Sequence, residues 1–256
     1  MSALAHIVQS GDPDRYAASL AAPEDMRARL WALYAFNLEV ARAPWVTSEP
    51  MIAEMRLQFW HDTLDGIAEG TPARAHEVAS PLAQVWRDCA LPVELGHAMV
   101  AARRWDIARN GFGDAQALAA HLDATSGHLM WLAALALSTG PQAEPVVRDM
   151  AHAAGLANWF LAVPELQARG RQPLPDPSPE AIRALAGDGL SRLKRARAQR
   201  AIVPAEAAPA LLTGWQAGAI LRRAVQDPAR VTAGTLGLSE FARRGRLLLR
   251  GLSGRW

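Results

Sequence analysis

Apolar residues recur along this chain at spacings of three and four, and alternating Val/Ile/Thr runs are absent. That pattern predicts helices almost throughout and no sheet. One helix should start at Pro23, followed by Glu24 and Asp25 where the helix dipole favours acids. Its stripe runs Met26, Leu30, Leu33, Tyr34, Leu38 and Ala41, and Pro44 ends it. A second should be capped by Ser48 and carry Ile52, Met55, Phe59, Trp60, Leu64 and Ile67 on one face, closed by Gly70 and Pro72. Further helices are predicted over 80–89, 92–110, 114–138, 142–169, 180–200, 206–225 and 237–251. Pro164 predicts a kink or an early end in the sixth of these helices. Residues 171–180 carry four prolines in seven positions, Pro173, Pro175, Pro177 and Pro179, and read as a loop. The last helix, from Glu240 to Arg250, is basic and amphipathic.

Composition narrows the possibilities. The chain has 256 residues, of which 50% are hydrophobic and 20% charged, enough apolar surface to build one sizeable core. No internal repeat or long linker divides it, so a single all-α domain over residues 1–256 is expected. Cys89 is the only cysteine, which excludes an intrachain disulfide. A net charge of +2, without a basic run interleaved with aromatics, argues against nucleic acid as a partner. The N-terminus lacks the pattern of a secretory signal, and the apolar run Leu129–Leu137 is far shorter than the roughly 20 residues that cross a bilayer. A cytoplasmic protein, peripheral to the membrane at most, is expected.

Few motifs carry chemistry. CxxC, HxxxH, HExxH, GxGxxG, GxxxxGK[ST] and GxSxG patterns are all missing. His121 and His128 read as satisfied core or surface groups. Asp62, Asp65 and Glu69 have the spacing that puts carboxylates on one helical face, which is what magnesium over a diphosphate would need. The apolar stripe of their helix leaves them at its edge, so a solvated face is the simpler reading.

Several stretches together resemble the squalene/phytoene synthase family. They are the run from Asp14 to Phe36 with its Ala-Leu-Tyr-Ala-Phe segment, Met55–Trp60, Ala101–Asp106, Ala120–Gly127 and Arg169-Gly-Arg-Gln-Pro-Leu-Pro175. The likeness is clearest over 12–175. It implies an isoprenoid-synthase-like helical bundle in which two aspartate-rich motifs on facing helices hold magnesium against prenyl diphosphates. Counted from Tyr34-Ala-Phe36, the first pair of aspartates should fall near 41 and 45, where this chain has Ala41 and Trp45, with Arg42 beside them. Counted from Arg171, the second pair should fall at 162 and 166, where it has Ala162 and Leu166. Gly155 stands where a glutamine is usual and Leu161 where an arginine is usual, while Asn158 matches.

The resemblance is to a divergent branch in particular, one that includes a mitochondrial complex I assembly factor with a phytoene-synthase-like domain. It implies a retained fold without the usual catalysis: a pseudoenzyme with no catalytic residue and no metal, binding an isoprenoid or lipid, a membrane surface or a partner protein. The competing expectation is an active magnesium-dependent head-to-head prenyl transferase with a divergent site. Arg27, Tyr34, Asn158 and Arg171 match the family's motifs and are the candidate ligand contacts. The basic C-terminal helix, with Phe241 and Leu247–Leu249 beside Arg243, Arg244, Arg246 and Arg250, could either lie on an anionic membrane or pack as an ordinary terminal helix.

Overall fold

A computed structural model describes residues 2–108 and 110–256, and no described residue lies in a strand. Two short helices open the chain. α1 (Ala3–Gly11) begins where the Ser2 hydroxyl accepts from the Ala5 N–H, and α2 (Pro13–Ser19) where Asp12 caps Arg15 N–H with Pro13 at the first helical position. The two long stripes appear as α3 (Glu24–Arg42) and α4 (Pro50–Ala68). The cap of α4 differs from expectation. Pro50 occupies the first turn, so Glu49 takes the cap position without a side-chain bond, and Thr47 rather than Ser48 accepts from the Glu49 N–H.

Next come α5 (Ala79–Asp88), α6 (Val93–Ala102) and α7 (Arg104–Ala108), so the predicted helix 92–110 is broken at Arg103. α8 (Ala115–Leu122), capped by Asp114, runs through one π-helical turn (Asp123–Gly127) into α9 (His128–Ala136). α10 (Glu144–Ala168) and α11 (Pro179–Ala198) follow, the latter capped by Ser178 as its sequence predicts. The final third holds α12 (Ala208–Leu212), α13 (Ala217–Gln226), α14 (Ala229–Thr232) and α15 (Glu240–Ser253).

Pro164 does not end α10, which continues to Ala168. Its stop is built six residues beyond the proline. Gly170 adopts φ +74°, donating to the Gln167 carbonyl, while Arg171 N–H donates to the Leu166 carbonyl, each at 2.9 Å. This paired closure needs a residue free to enter the left-handed region, which glycine does without strain. The Arg169-Gly-Arg171 motif is therefore first of all a helix terminator.

α3 and α10 form the middle of the bundle. α3 packs on α1, α5 and α9, and α10 on α11, α13, α9 and the π turn. Phe36 on α3 meets Trp60 on α4 at 5.4 Å and Trp86 on α5 at 6.0 Å, both edge to face. Each such pair adds about 1 kcal/mol beyond the burial of its rings. Gly155 on α10 has a steric role. A Cβ there would lie 2.7 Å from the Ser126 Cβ, so the missing side chain is what lets the π turn close on α10.

Candidate functional site

The C-terminal half of α3, the α6–α7 junction, the end of α8, the π turn and α10 line an open cavity of about 570 Å³. Ala41, Trp45, Ala162 and Leu166, the four positions where the resemblance places aspartates, all line it. They present two methyl groups, an indole and an isobutyl group. None offers an oxygen to magnesium, which requires hard oxygen ligands, so this donor set does not fit the metal.

Arginines take the charged places instead. Arg42, Arg103 and Arg169 line the same cavity. The guanidinium of Arg169 lies 4.7 Å from the Trp45 ring centre and that of Arg171 lies 5.1 Å from it, so the indole serves two cations. Arg171 is buried and donates from Nη2 to the carbonyl of Asp106. The Asp106 side chain is buried on the cavity wall, and its Oδ2 has no hydrogen-bond partner. Burial pushes its carboxyl up to about 6, against the opposing pull of Arg103 and Arg171. Two acids, Asp106 and Glu165, thus share this wall with three arginines.

An aromatic cluster adjoins these groups. Trp105 stacks on Phe112 at 4.8 Å, and His121 and Trp159 close the cluster 5.2 Å apart, with both of these lining the cavity. Trp159 is fixed by its Nε1 donating to the Pro173 carbonyl at 2.8 Å, which ties the proline-rich loop to the site. Burial, helped by the charge of Arg103, lowers His121 to about 4, so it is neutral at physiological pH.

A polar chamber of about 290 Å³ adjoins this cavity through Arg103, Ser126 and Asn158, which line both. Its other polar lining includes Asp12, Asp14, Arg15, Asn37 and Gln216. Leu122 lines both the main cavity and an apolar groove of about 610 Å³ between α8, α10 and α11, whose other walls include Leu118, Leu156 and Leu185.

The four candidate contacts fall in different places. Asn158 lies on the shared wall of cavity and chamber. Arg171 stands behind that wall, on Trp45 and Asp106. Tyr34 is buried on α3 beneath Arg15, whose guanidinium is 5.3 Å from its ring centre; burial holds its phenol far above the usual range, and its hydroxyl makes no hydrogen bond. Arg27 lines neither space and donates to the carbonyls of Leu20 and Ala22 at 2.9 and 2.8 Å, capping the end of α2. Arg103, Asp106, His121, Trp159 and Arg169 are not among the contacts expected from the sequence, although all but Trp159 sit in stretches that carry the resemblance.

Asp62, Asp65 and Glu69 line a separate groove along the outer side of α4. Asp62 accepts from Gln58 and pairs with Arg74, while Asp65 turns to two imidazoles, His61 Nδ1 at 3.1 Å and His97 Nε2 at 3.2 Å. Among the described residues these three bring one donor atom each within 4.8 Å of the others. Two imidazoles and one carboxylate suit zinc or a neighbouring transition metal better than magnesium. Two of its three members, His61 and Asp65, stand one turn apart in the sequence, but nothing in the spacing shows that α6 brings His97 to them.

The squalene/phytoene synthase family model matches residues 8–248. Among solved structures, a dehydrosqualene synthase in complex with ligand has a TM-score of 0.80 at 14% identity, covering 98% of this chain and 94% of its own. The squalene synthase HpnC from Alicyclobacillus acidocaldarius has a TM-score of 0.73 at 15% identity, covering 88% of this chain and 93% of its own. Both establish the helical fold. Among curated proteins, the complex I assembly factor 6 homolog of Drosophila melanogaster is 38% identical over 77 residues, 30% of this chain and 23% of that protein. Assembly factor 6 of Bos taurus is 38% identical over 66 residues, 26% of this chain and 20% of that protein. The matched stretches thus span less than a quarter of these relatives' length.

Proposed function

The chain belongs to the squalene/phytoene synthase family, and from that premise we propose that it is a non-catalytic member, one that binds an isoprenoid or another lipid with an anionic head instead of condensing prenyl diphosphates. One observation carries the reading: Ala41, Trp45, Ala162 and Leu166 line a single cavity together with Arg42, Arg103 and Arg169. Ionising a diphosphate needs divalent cations, and these need clustered carboxylates. A wall of guanidinium groups instead holds an anion by charge-assisted hydrogen bonds and supplies no carboxylate cage for a metal. His121 and Trp159 offer a face for a hydrocarbon chain, and the groove beyond Leu122 offers it room. Kinship with proteins named as complex I assembly factors favours an assembly role for such a lipid-binding protein.

A second reading, an active magnesium-dependent head-to-head prenyl transferase with a divergent site, draws on the carboxylates that line the cavity and the chamber. These are Asp106 and Glu165 on the cavity wall and Asp12 and Asp14 in the chamber. Incubation of the purified protein with magnesium and radiolabelled farnesyl or geranylgeranyl diphosphate separates the two. We expect retention of intact ligand, weakened by Arg103→Ala, with an isoprenoid among the co-purifying lipids by mass spectrometry. Diphosphate release that disappears in Asp106→Asn would instead establish the transferase.

A further inference from the structure

α15 is held to the protein by the side that its sequence would lead one to leave outside. Arg243 pairs with Asp14 at the edge of the polar chamber, Arg250 is half-buried, and Leu247 packs on the core. Beyond the helix, the buried Trp256 accepts at its carbonyl from Arg197. The capping Ser239 and the left-handed Gly254 fix its two ends. The large apolar residues point away: Phe241, Leu248, Leu249 and Leu252 are 89%, 62%, 70% and 79% exposed. At ~100° per residue they occupy one sector about 100° wide, a continuous stripe on the outer surface. Folding a helix so that its apolar stripe faces water gives up burial that a rotation would recover, unless another apolar phase receives it.

The charge around the stripe identifies that phase. Residues 240–256 hold five arginines against one acid, Glu240. Arg244 and Arg246 flank the stripe on either side and are exposed. Arg197, Arg222, Arg246 and Arg250 crowd together, and burial, joined by the charges of these neighbouring arginines, lowers Arg197 and Arg250 below the usual guanidinium range. A second copy of this chain meeting the same face would set arginine against arginine. An anionic lipid surface neutralises them and accepts the stripe into its acyl boundary. A helix of 14 residues is ~21 Å long, less than the ~30 Å hydrocarbon core, so it lies in the interface and does not span it.

We propose that α15 docks the protein onto anionic membranes, with Phe241, Leu248, Leu249 and Leu252 inserted and Arg244 and Arg246 on lipid headgroups. The inference stands whether or not the central cavity holds a ligand. Docking would bring the polar chamber close to the bilayer, since Arg243 joins α15 to Asp14 on the chamber wall.

Co-sedimentation of the full chain with phosphatidylcholine vesicles, with and without phosphatidylglycerol, tests it. The protein should pellet with the mixed vesicles and remain in solution with phosphatidylcholine alone, and salt should release it. Replacing Phe241, Leu248, Leu249 and Leu252 by serine should lower partitioning at least about tenfold while the protein keeps its cooperative thermal unfolding, because these side chains are mostly exposed in the fold. Arg244→Ser with Arg246→Ser should remove most of the preference for phosphatidylglycerol. Three results overturn the proposal: equal binding to both vesicles, a serine variant that pellets like the parent, or a parent dimer that light scattering shows the serine variant converts to monomer.

Discussion

The inner wall between α3 and α10 and the outer side of α4 carry opposite charge chemistry, and each has the chemistry expected of the other. The wall holds two alanines, a tryptophan and a leucine at the positions where the resemblance places aspartates, with arginines beside them. The outer side of α4 holds Asp62, Asp65 and Glu69 at helical spacing, Asp62 being spent on Gln58 and Arg74 and Asp65 on two histidines. Carboxylates at the right spacing form a catalytic cluster only when a second helix brings others to face them across an enclosed space. Here α6 brings His97 to the outer acids, and α10 brings Ala162 and Leu166 to the inner wall.

The contrast can be broken first at Asp106. Its raised carboxyl means the folded protein keeps a proton that the unfolded chain has released, so stability attributable to this group falls as pH rises from ~4 to ~6. Asp106→Asn removes that slope. Urea denaturation of parent and variant should show their difference shifting against the parent by up to about 3 kcal/mol across this window. A parallel pair of pH curves would mean that Asp106 is solvated and the wall is not a low-dielectric site.

Gly155→Gln restores the side chain the resemblance leads one to expect, into a space where Ser126 stands 2.7 Å from the new Cβ. Overpacking the π turn against α10 should cost about 2 kcal/mol, read as a lower denaturation midpoint at unchanged slope. A neutral result would show that the turn can move and that the close approach is incidental. The smallest effect belongs to the outer side: Asp62→Ala should change stability at pH 7 by no more than about 0.5 kcal/mol, because its partner Arg74 is largely exposed. A larger loss would give the outer acids a structural importance that their exposure denies.

Much of the fold is readable from spacing alone. The stripe of α3, the cap at Ser178 and the proline-rich loop before α11 follow from local rules, because each is decided within a few residues. Pro164 is the instructive exception. A single proline removes one hydrogen bond, while packing along the rest of α10 and the closure at Gly170 hold the helix through it. The candidate site is legible in part. The loss of acids at 41, 45, 162 and 166 can be counted from the chain, but the arginines that replace their charge sit at neighbouring positions whose direction depends on how α3 and α10 face each other.

The amphipathic helices α13 and α15 mark the boundary between the two kinds of information. In both, the sequence dictates a helix with apolar and arginine-rich sides, because 3.6-residue periodicity is a property of the chain. α13 turns Ile220, Leu221 and Ala224 inward against α10 and α11, whereas α15 turns Phe241, Leu248 and Leu252 outward. That orientation is a tertiary decision, fixed for α15 by Asp14, the core contact of Leu247 and the burial of Trp256. The sequence by itself determined which residues share a face and which acids are absent; only the packing of the helices decided which face meets the core and which meets the surroundings, since contacts between distant segments have no signature in local spacing.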